Sequence, residues 1–462
     1  MNEILSLNAH ALSDKIAAGD VSASDVMQAT LKQIAAENPN VNAIVSLRDE
    51  DALLAEAAAA DSAPRKGWLH GIPVAVKDLA NVAGLPTSMG SPALKGRIAT
   101  KSDLVVQRMQ DAGAIVIGKT NTPEFGLGSH TYNPVFGATE NACVAGRSAG
   151  GSSGGAAVAL AKNMVCVADG SDMMGSLRNP AGWNNVYGLR PSWGRVPSEA
   201  EGDTFLHQLA TSGPMARCPR DLAHLLEVQA GPDPYQPHGL PVETYHDKLD
   251  ADLKPRKIAW LADWGGAFPM EAGVEAHCAA QVAQFADLGC KVDAINAPFD
   301  AAALWESWIT LRSWSVNSGL GIMYDDPKLR DHLKPEAIWE IENGRKSTVD
   351  DIQRASVIRS NWFKAAAELF DSYDALVLPT AQCWPFPVEW DWPKEIAGVQ
   401  MDTYHRWMEV VVPASLIGLP AVAVPAGFSD AGMPMGLQLI GRRNNDLGML
   451  QLAHGWHEMT HA

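Results

Sequence analysis

Serines set among glycines are the first residues of this chain whose types and spacing suggest chemistry. Residues 150–180 read GGSSGGAAVALAKNMVCVADGSDMMGSLRNP. Glycine allows sharp or left-handed turns and a close approach of backbone to a ligand. The two Gly-Ser turns are joined by an apolar segment, AAVALA. If that segment packs as a buried helix, Ser152 and Ser176 come near each other. A hydroxyl is a weak nucleophile at neutral pH until a base takes its proton. This stretch holds no histidine, and its single lysine, Lys162, falls just past the apolar run. A base must therefore come from elsewhere. A phosphate cradle is the competing reading of such a run, but a P-loop needs Gly-Lys-Ser/Thr where this chain has Ala-Ala. The spaced glycines of a dinucleotide site are not matched either.

The elements that must position these serines come next. Residues 71–78, GIPVAVKD, read as a short buried strand ending in Lys77 and Asp78. Two readings of Lys77 stand side by side. It is a strand-end lysine paired with Asp78, or it is a desolvated base, because burial disfavours the ammonium form. Residues 102–113 read as a helix and 114–118 as a strand, an alternation that favours a parallel or mixed sheet covered by helices. Helices are expected within 8–65, where Ser22 and Asp25 form a capping-box-like start. Further helices are expected at 221–229, 274–288 and 446–457. Strands are expected at 257–261, 291–295, 374–379, 421–425 and 435–440. The most apolar window, 410–428, is broken by Pro413, Gly418, Pro420 and Pro425, so it reads as a buried strand-turn-strand and not as a membrane span.

Composition bounds the function. The chain has 462 residues, 47% apolar and 19% charged, as a globular protein does. Its net charge of −17 argues against nucleic acid as a partner, which needs an excess of Lys and Arg. Six scattered cysteines form no C-x-x-C pair and read as reduced thiols of a cytoplasmic protein. Eight of the 15 tryptophans fall between residues 300 and 394. They suit an apolar pocket or a core equally well. His454, His457 and His461 recur at helical spacing and read as a solvated helix end rather than a metal site.

At this point the motifs resemble those of the amidase signature family of serine amidohydrolases. GGSSGG followed by GSDMMGSLRNPA is specific to it, and GIPVAVKD, AGAIVIGKTNTPEF, SGPMAR and GLPAVAVPAGF are close to family forms. The resemblance implies a single domain over 1–462. Its parts are a helical region (1–65), a catalytic core (66–230), a variable Trp-rich insertion (231–370) and a return to the core (371–462). The implied fold is α/β, with a large mixed, mostly parallel central sheet flanked by helices on both faces. The family's Ser-cisSer-Lys triad falls on Ser176 as nucleophile, Ser152 after a cis Gly151–Ser152 bond, and Lys77 as base. Backbone N–H groups of Met173, Met174, Gly175 and Ser176 would form the oxyanion hole. Ser153, Asp172 and Arg178 would support the site. No cofactor and no metal are implied. The expected partner is a small amide, with no nucleic acid and no membrane, and the expected assembly is a homodimer.

The chain departs from the family at Met173-Met174, where a small run such as Thr-Gly-Gly is usual. Two methionines lining the acyl site point to a hydrophobic or aryl acyl amide or anilide. The alternative within the same signature is the subunit of a tRNA-dependent amidotransferase that releases ammonia from glutamine.

Overall fold

The structure, a computed structural model, describes residues 3–199 and 201–461. The strand Ala421–Phe428 explains its layering. Its first six residues are buried, which requires cover on both faces, and they are nearly all Ala, Val and Pro. Helices Asn179–Trp183 and Asp446–His461 both pack on it. It lies inside an eight-stranded sheet. The order is Lys291–Ala294, Lys257–Trp260, Ala375–Pro379, Pro434–Ile440, Ala421–Phe428, Tyr187–Arg190, Thr211–Ala216 and Val167–Asp172.

The expected class, a large mixed sheet between helices, is what the chain builds. Its parallel share is smaller than expected. Among the described residues, five of its seven strand pairings are antiparallel, and the two parallel ones join Lys291–Ala294, Lys257–Trp260 and Ala375–Pro379. The α/β alternation that suggested parallel order governs a second, smaller sheet instead. There Pro73–Lys77 runs parallel to Ile115–Thr120, and Ile44–Val45 pairs antiparallel on the far side. Strand Pro73–Lys77 also abuts Val167–Asp172 at the edge of the main sheet. The two sheets therefore meet where Lys77 is.

Local signals set some element ends. Ser22 and Asp25 make a reciprocal capping box at the start of Ala23–Val41. The apolar window beyond residue 410 differs from expectation. It holds a short helix, Val412–Leu416, followed by a turn and one strand. Pro413 sits in the first turn of that helix, where a missing N–H is harmless. The Trp-rich insertion supplies two strands of the main sheet, Lys257–Trp260 and Lys291–Ala294, and its later part is helical, with Pro335–Lys346 and Val349–Leu369 both packed on Ala301–Asp325. No described helix is long and apolar enough to cross a membrane, and all six cysteines are free thiols.

The segment AAVALA does form a buried helix, Gly154–Ala161. Its glycine start is required by packing. A Cβ at Gly155 would stand 2.4 Å from the Asn121 nitrogen and 2.6 Å from the Ala43 oxygen, both backbone atoms. Gly155→Ala is therefore expected to lower stability by about 3 kcal/mol through overpacking. Thermal denaturation checks this, and an unchanged midpoint would show that the helix can withdraw from the small sheet.

Candidate active site

Lys77 ends a strand whose five residues are all buried. The strand delivers its side chain into the seam between the sheets. The ammonium nitrogen contacts Ser152 Oγ at 2.8 Å, Ser153 Oγ at 2.8 Å and Ser171 Oγ at 3.1 Å. Lys77 is not paired with Asp78, so the strand-end pair read as one alternative is not formed. Asp78 instead accepts from Ser88 and lies 3.8 Å from Lys119. Burial pulls the Lys77 pKa from 10.5 down to about 7, against the opposing pull of Asp169 and Asp172. Asp169 accepts from the Lys77 backbone N–H at 3.0 Å, not from its amine. A substantial neutral fraction at pH 7 follows, and a neutral amine has a lone pair to offer a hydroxyl.

Ser152 follows a cis peptide bond at Gly151–Ser152. It is 3% exposed and faces a cavity of about 260 Å³ that Ser176 also lines. The Ser153 N–H donates to the Ser176 carbonyl at 3.3 Å and ties the two turns together. The first leg of the expected relay, Lys77 to Ser152, is a hydrogen bond. No hydrogen bond joins the Ser152 and Ser176 hydroxyls. They share the cavity wall, and such contacts often tighten when substrate is bound. Ser171 was not singled out in the sequence. Its place in the second Gly-Ser turn, one residue before Asp172, was the available signal.

The turn that carries Ser176 is held by a buried ion cluster. Asp172 accepts from Gly175 N–H (2.8 Å), Leu177 N–H (3.1 Å) and Arg178 Nε and Nη2 (3.0 Å each). Arg190 donates to it as well, at 3.2 Å. Burial opposes the charge of Asp172, but Arg178 and Arg190, with these hydrogen bonds, hold its carboxyl well below the usual carboxylate range. Arg178 also donates to Val411, Ser415 and Gln438, so the turn is tied to the C-terminal part of the chain. Gly175 has φ of +79°, and a Cβ there would meet Val411 at 2.9 Å. The four N–H groups expected to face an oxyanion are not equally available. The Gly175 N–H is one of them, but Asp172 engages that group. The N–H groups of Met173, Met174 and Ser176 have no hydrogen-bond partner among the described residues.

The cavity wall is largely apolar: Leu79, Phe125, Met173, Met174, Val316 and Leu320 all line it. Both methionines are therefore where their departure from the usual small run suggested. The tryptophans, read as suiting pocket or core equally, do not line the cavity. Trp308 and Trp362 are buried core side chains, Trp390 is exposed, and none of the eight lines this cavity. The Trp-rich insertion contributes Arg312, Val316, Gly319 and Leu320 instead, all from helix Ala301–Asp325. Arg312 is the one permanently charged side chain among the described lining residues. Its guanidinium bonds Glu340 (2.6 Å), the Tyr404 hydroxyl (2.7 Å) and Met173 Sδ (3.0 Å). Periodicity carried no sign of this arginine.

Two groups elsewhere have metal-ligand types close together. They are His10, Cys218 and Asp221, and His224, Glu227 and His246, each with ligand atoms within 4.8 Å of one another. Neither borders the cavity. The closing helix is not frayed where its histidines lie: His454 bonds Asp250 at 3.0 Å and His457 bonds the Tyr187 hydroxyl at 3.0 Å.

The Asp172 cluster yields a test of stability. Asp172→Ala would leave Arg178 and Arg190 buried without their counter-charge, and breaking such a pair costs about 3–5 kcal/mol. Denaturant unfolding is expected to show a loss of that order. A loss below about 1 kcal/mol would mean that the two arginines find other partners.

Comparison with known proteins agrees with this geometry. The family model described as Amidase matches residues 25–450. An acylamidase of Rhodococcus erythropolis is 32% identical, over 97% of this chain and 94% of its own. A glutamyl-tRNA(Gln) amidotransferase subunit of Thermus thermophilus is 34% identical, over 98% of this chain and 97% of its own. The crystal structure of a bacterial aryl acylamidase of the amidase signature family superposes with a TM-score of 0.91, at 28% identity, covering 98% of this chain and 96% of that one. With a buried lysine among serines, a shared cavity and a family match across most of its length, this chain belongs to the amidase signature family.

Proposed function

We propose that this chain hydrolyses an uncharged carboxylic amide with an apolar or aryl body, through an acyl-Ser176 intermediate. The observation that carries the reading is the fully buried Lys77 amine, 2.8 Å from Ser152 Oγ, behind a cavity that Ser176 lines. Neutral Lys77 takes the Ser152 proton while Ser152 takes that of Ser176. The Ser176 Oγ–carbon bond forms, and the N–H groups of Met173, Met174 and Ser176 receive the developing oxyanion. Each such donor is worth about 3 kcal/mol in a transition state. The relayed proton returns to the leaving nitrogen as the carbon–nitrogen bond breaks. Water then attacks the acyl group by the reverse relay and releases the carboxylate.

The amidotransferase reading has relatives in its favour, including the Thermus thermophilus protein. The cavity weighs against it. Glutamine carries an α-carboxylate that calls for a cation, and Arg312 is already engaged by Glu340 at 2.6 Å. The purified chain is expected to act alone, as a homodimer, without a tRNA-binding partner.

Two measurements test the proposal. In steady-state kinetics, kcat/KM is expected to be at least tenfold higher for benzamide or anilide substrates than for acetamide, with glutamine poorer still. That factor corresponds to about 1.4 kcal/mol of apolar contact, less than the burial of one large side chain provides. Preference for acetamide or glutamine would refute the assignment. The pH profile is the second. Lys77 acts as a base only when neutral, so kcat/KM should climb through pH of about 7 and level off above it. Lys77→Ala should remove at least ~100-fold in rate. A profile that falls from pH 6 to 9 would exclude Lys77 as the base.

A further inference from the structure

His405 lines the same cavity, and the proposed chemistry leaves it without a role. It is 1% exposed, yet neither ring nitrogen has a hydrogen-bond partner among the described residues. Buried polar atoms are nearly always paired, because leaving them unpaired costs free energy. The groups around the ring do not supply the missing bonds. Tyr404 packs beside it with ring centroids 4.3 Å apart, and Trp305 and Trp339 lie at 5.3 and 5.9 Å. Glu340 Oε1 stands 4.0 Å from Nε2, beyond bonding reach, and is already engaged by Arg312 and the Tyr404 hydroxyl. Arg406 is turned to Glu409, at 3.0 Å.

Burial, reinforced by Arg312 and Arg406, keeps the imidazole well below its ordinary pKa. It is thus uncharged at neutral pH, with one N–H and one lone pair. A group that both donates and accepts is its complement, and a hydroxyl does so for either tautomer. A carboxylate is a poor complement, since it would meet the Glu340 charge nearby.

Resting on the amide-hydrolase reading, we infer that His405 is a specificity-determining residue whose imidazole hydrogen-bonds a hydroxyl on the acyl part of the substrate. The preferred substrates are then uncharged, hydroxylated aryl or apolar amides. A site built to bond a hydroxyl discriminates against an analogue that lacks it, because the buried group is then left unpaired.

The test separates binding from turnover. Benzamides carrying a hydroxyl at the ortho, meta or para position, their methyl counterparts and the matching carboxylates are titrated into the Ser176→Ala protein by calorimetry. At least one hydroxyl isomer is expected to bind about tenfold more tightly than its methyl counterpart and than its carboxylate. Adding His405→Phe should bring the hydroxyl-to-methyl ratio close to one, and His405→Gln, which still donates and accepts, should keep most of it. Ring-nitrogen shifts of His405 in the Ser176→Ala protein supply a reading that needs no change at position 405. They should move with the hydroxyl probe and not with the methyl one. A ratio near one in Ser176→Ala, a ratio that survives His405→Phe, unmoved ring nitrogens, or preference for a carboxylate would each overturn the inference. If the unmodified enzyme hydrolysed none of these amides while the His405-dependent ratio persisted, the hydrolase reading would fall and the binding role would stand.

Discussion

Removal of the Lys77 amine from water is the constraint on which the site depends. An ammonium ion seated among three serine hydroxyls loses hydration that neutral hydroxyls only partly replace. Two carboxylates nearby, Asp169 and Asp172, would ordinarily restore the charge. Each is occupied elsewhere. Asp169 receives the Lys77 backbone N–H, and Asp172 is bound by two arginines and two backbone N–H groups. Desolvation therefore wins over attraction. The balance leaves a buried amine whose pKa is pulled down to about 7.

The same allocation of charges fixes the turn that carries Ser176. Asp172 closes the backbone from Gly175 to Leu177 around Ser176, and Arg178 carries that order across to Val411, Ser415 and Gln438. Gln438 belongs to Pro434–Ile440, a central strand of the main sheet. The position of one hydroxyl is thus set by residues far apart in sequence. The Gly175 N–H is taken up by Asp172 in the same way. It is needed to hold the turn, and its three neighbours Met173, Met174 and Ser176 keep theirs free.

What was legible in the sequence follows from how local each signal is. The Gly-Ser turns, the apolar run at Pro73–Lys77 and the capping box at Ser22 are encoded within a few residues, and the structure has them where expected. Local signals placed Lys77 at a strand end but did not name its partners, and only the family resemblance pointed to Ser152, because Ser152, Ser153 and Ser171 reach it from about 75 to 94 positions away. The sheet's antiparallel majority was hidden for a similar reason. Strands Pro434–Ile440 and Ala421–Phe428 insert between Ala375–Pro379 and Tyr187–Arg190, and direction there is set by long connections. The tryptophans stayed undecided in the sequence because their composition fits pocket and core alike, and here large rings such as Trp308 and Trp362 are buried in the core.

The methionine departure becomes intelligible only beside Arg312. A thioether at 173 widens the apolar wall, but it also meets a guanidinium at 3.0 Å. That guanidinium is 3% exposed and would be intolerable without Glu340 at 2.6 Å. Glu340 in turn takes the Ser313 and Tyr404 hydroxyls. The set is charge-balanced as a whole and presents the cavity with a methionine side chain on one side and His405 on the other. A substrate with its own charge would have to break this balance, whereas an uncharged amide leaves it intact. In the amide-hydrolase reading proposed above, selectivity for neutral substrates would rest on this ion pair, of which Arg312 lines the cavity, more than on the apolar side chains beside it.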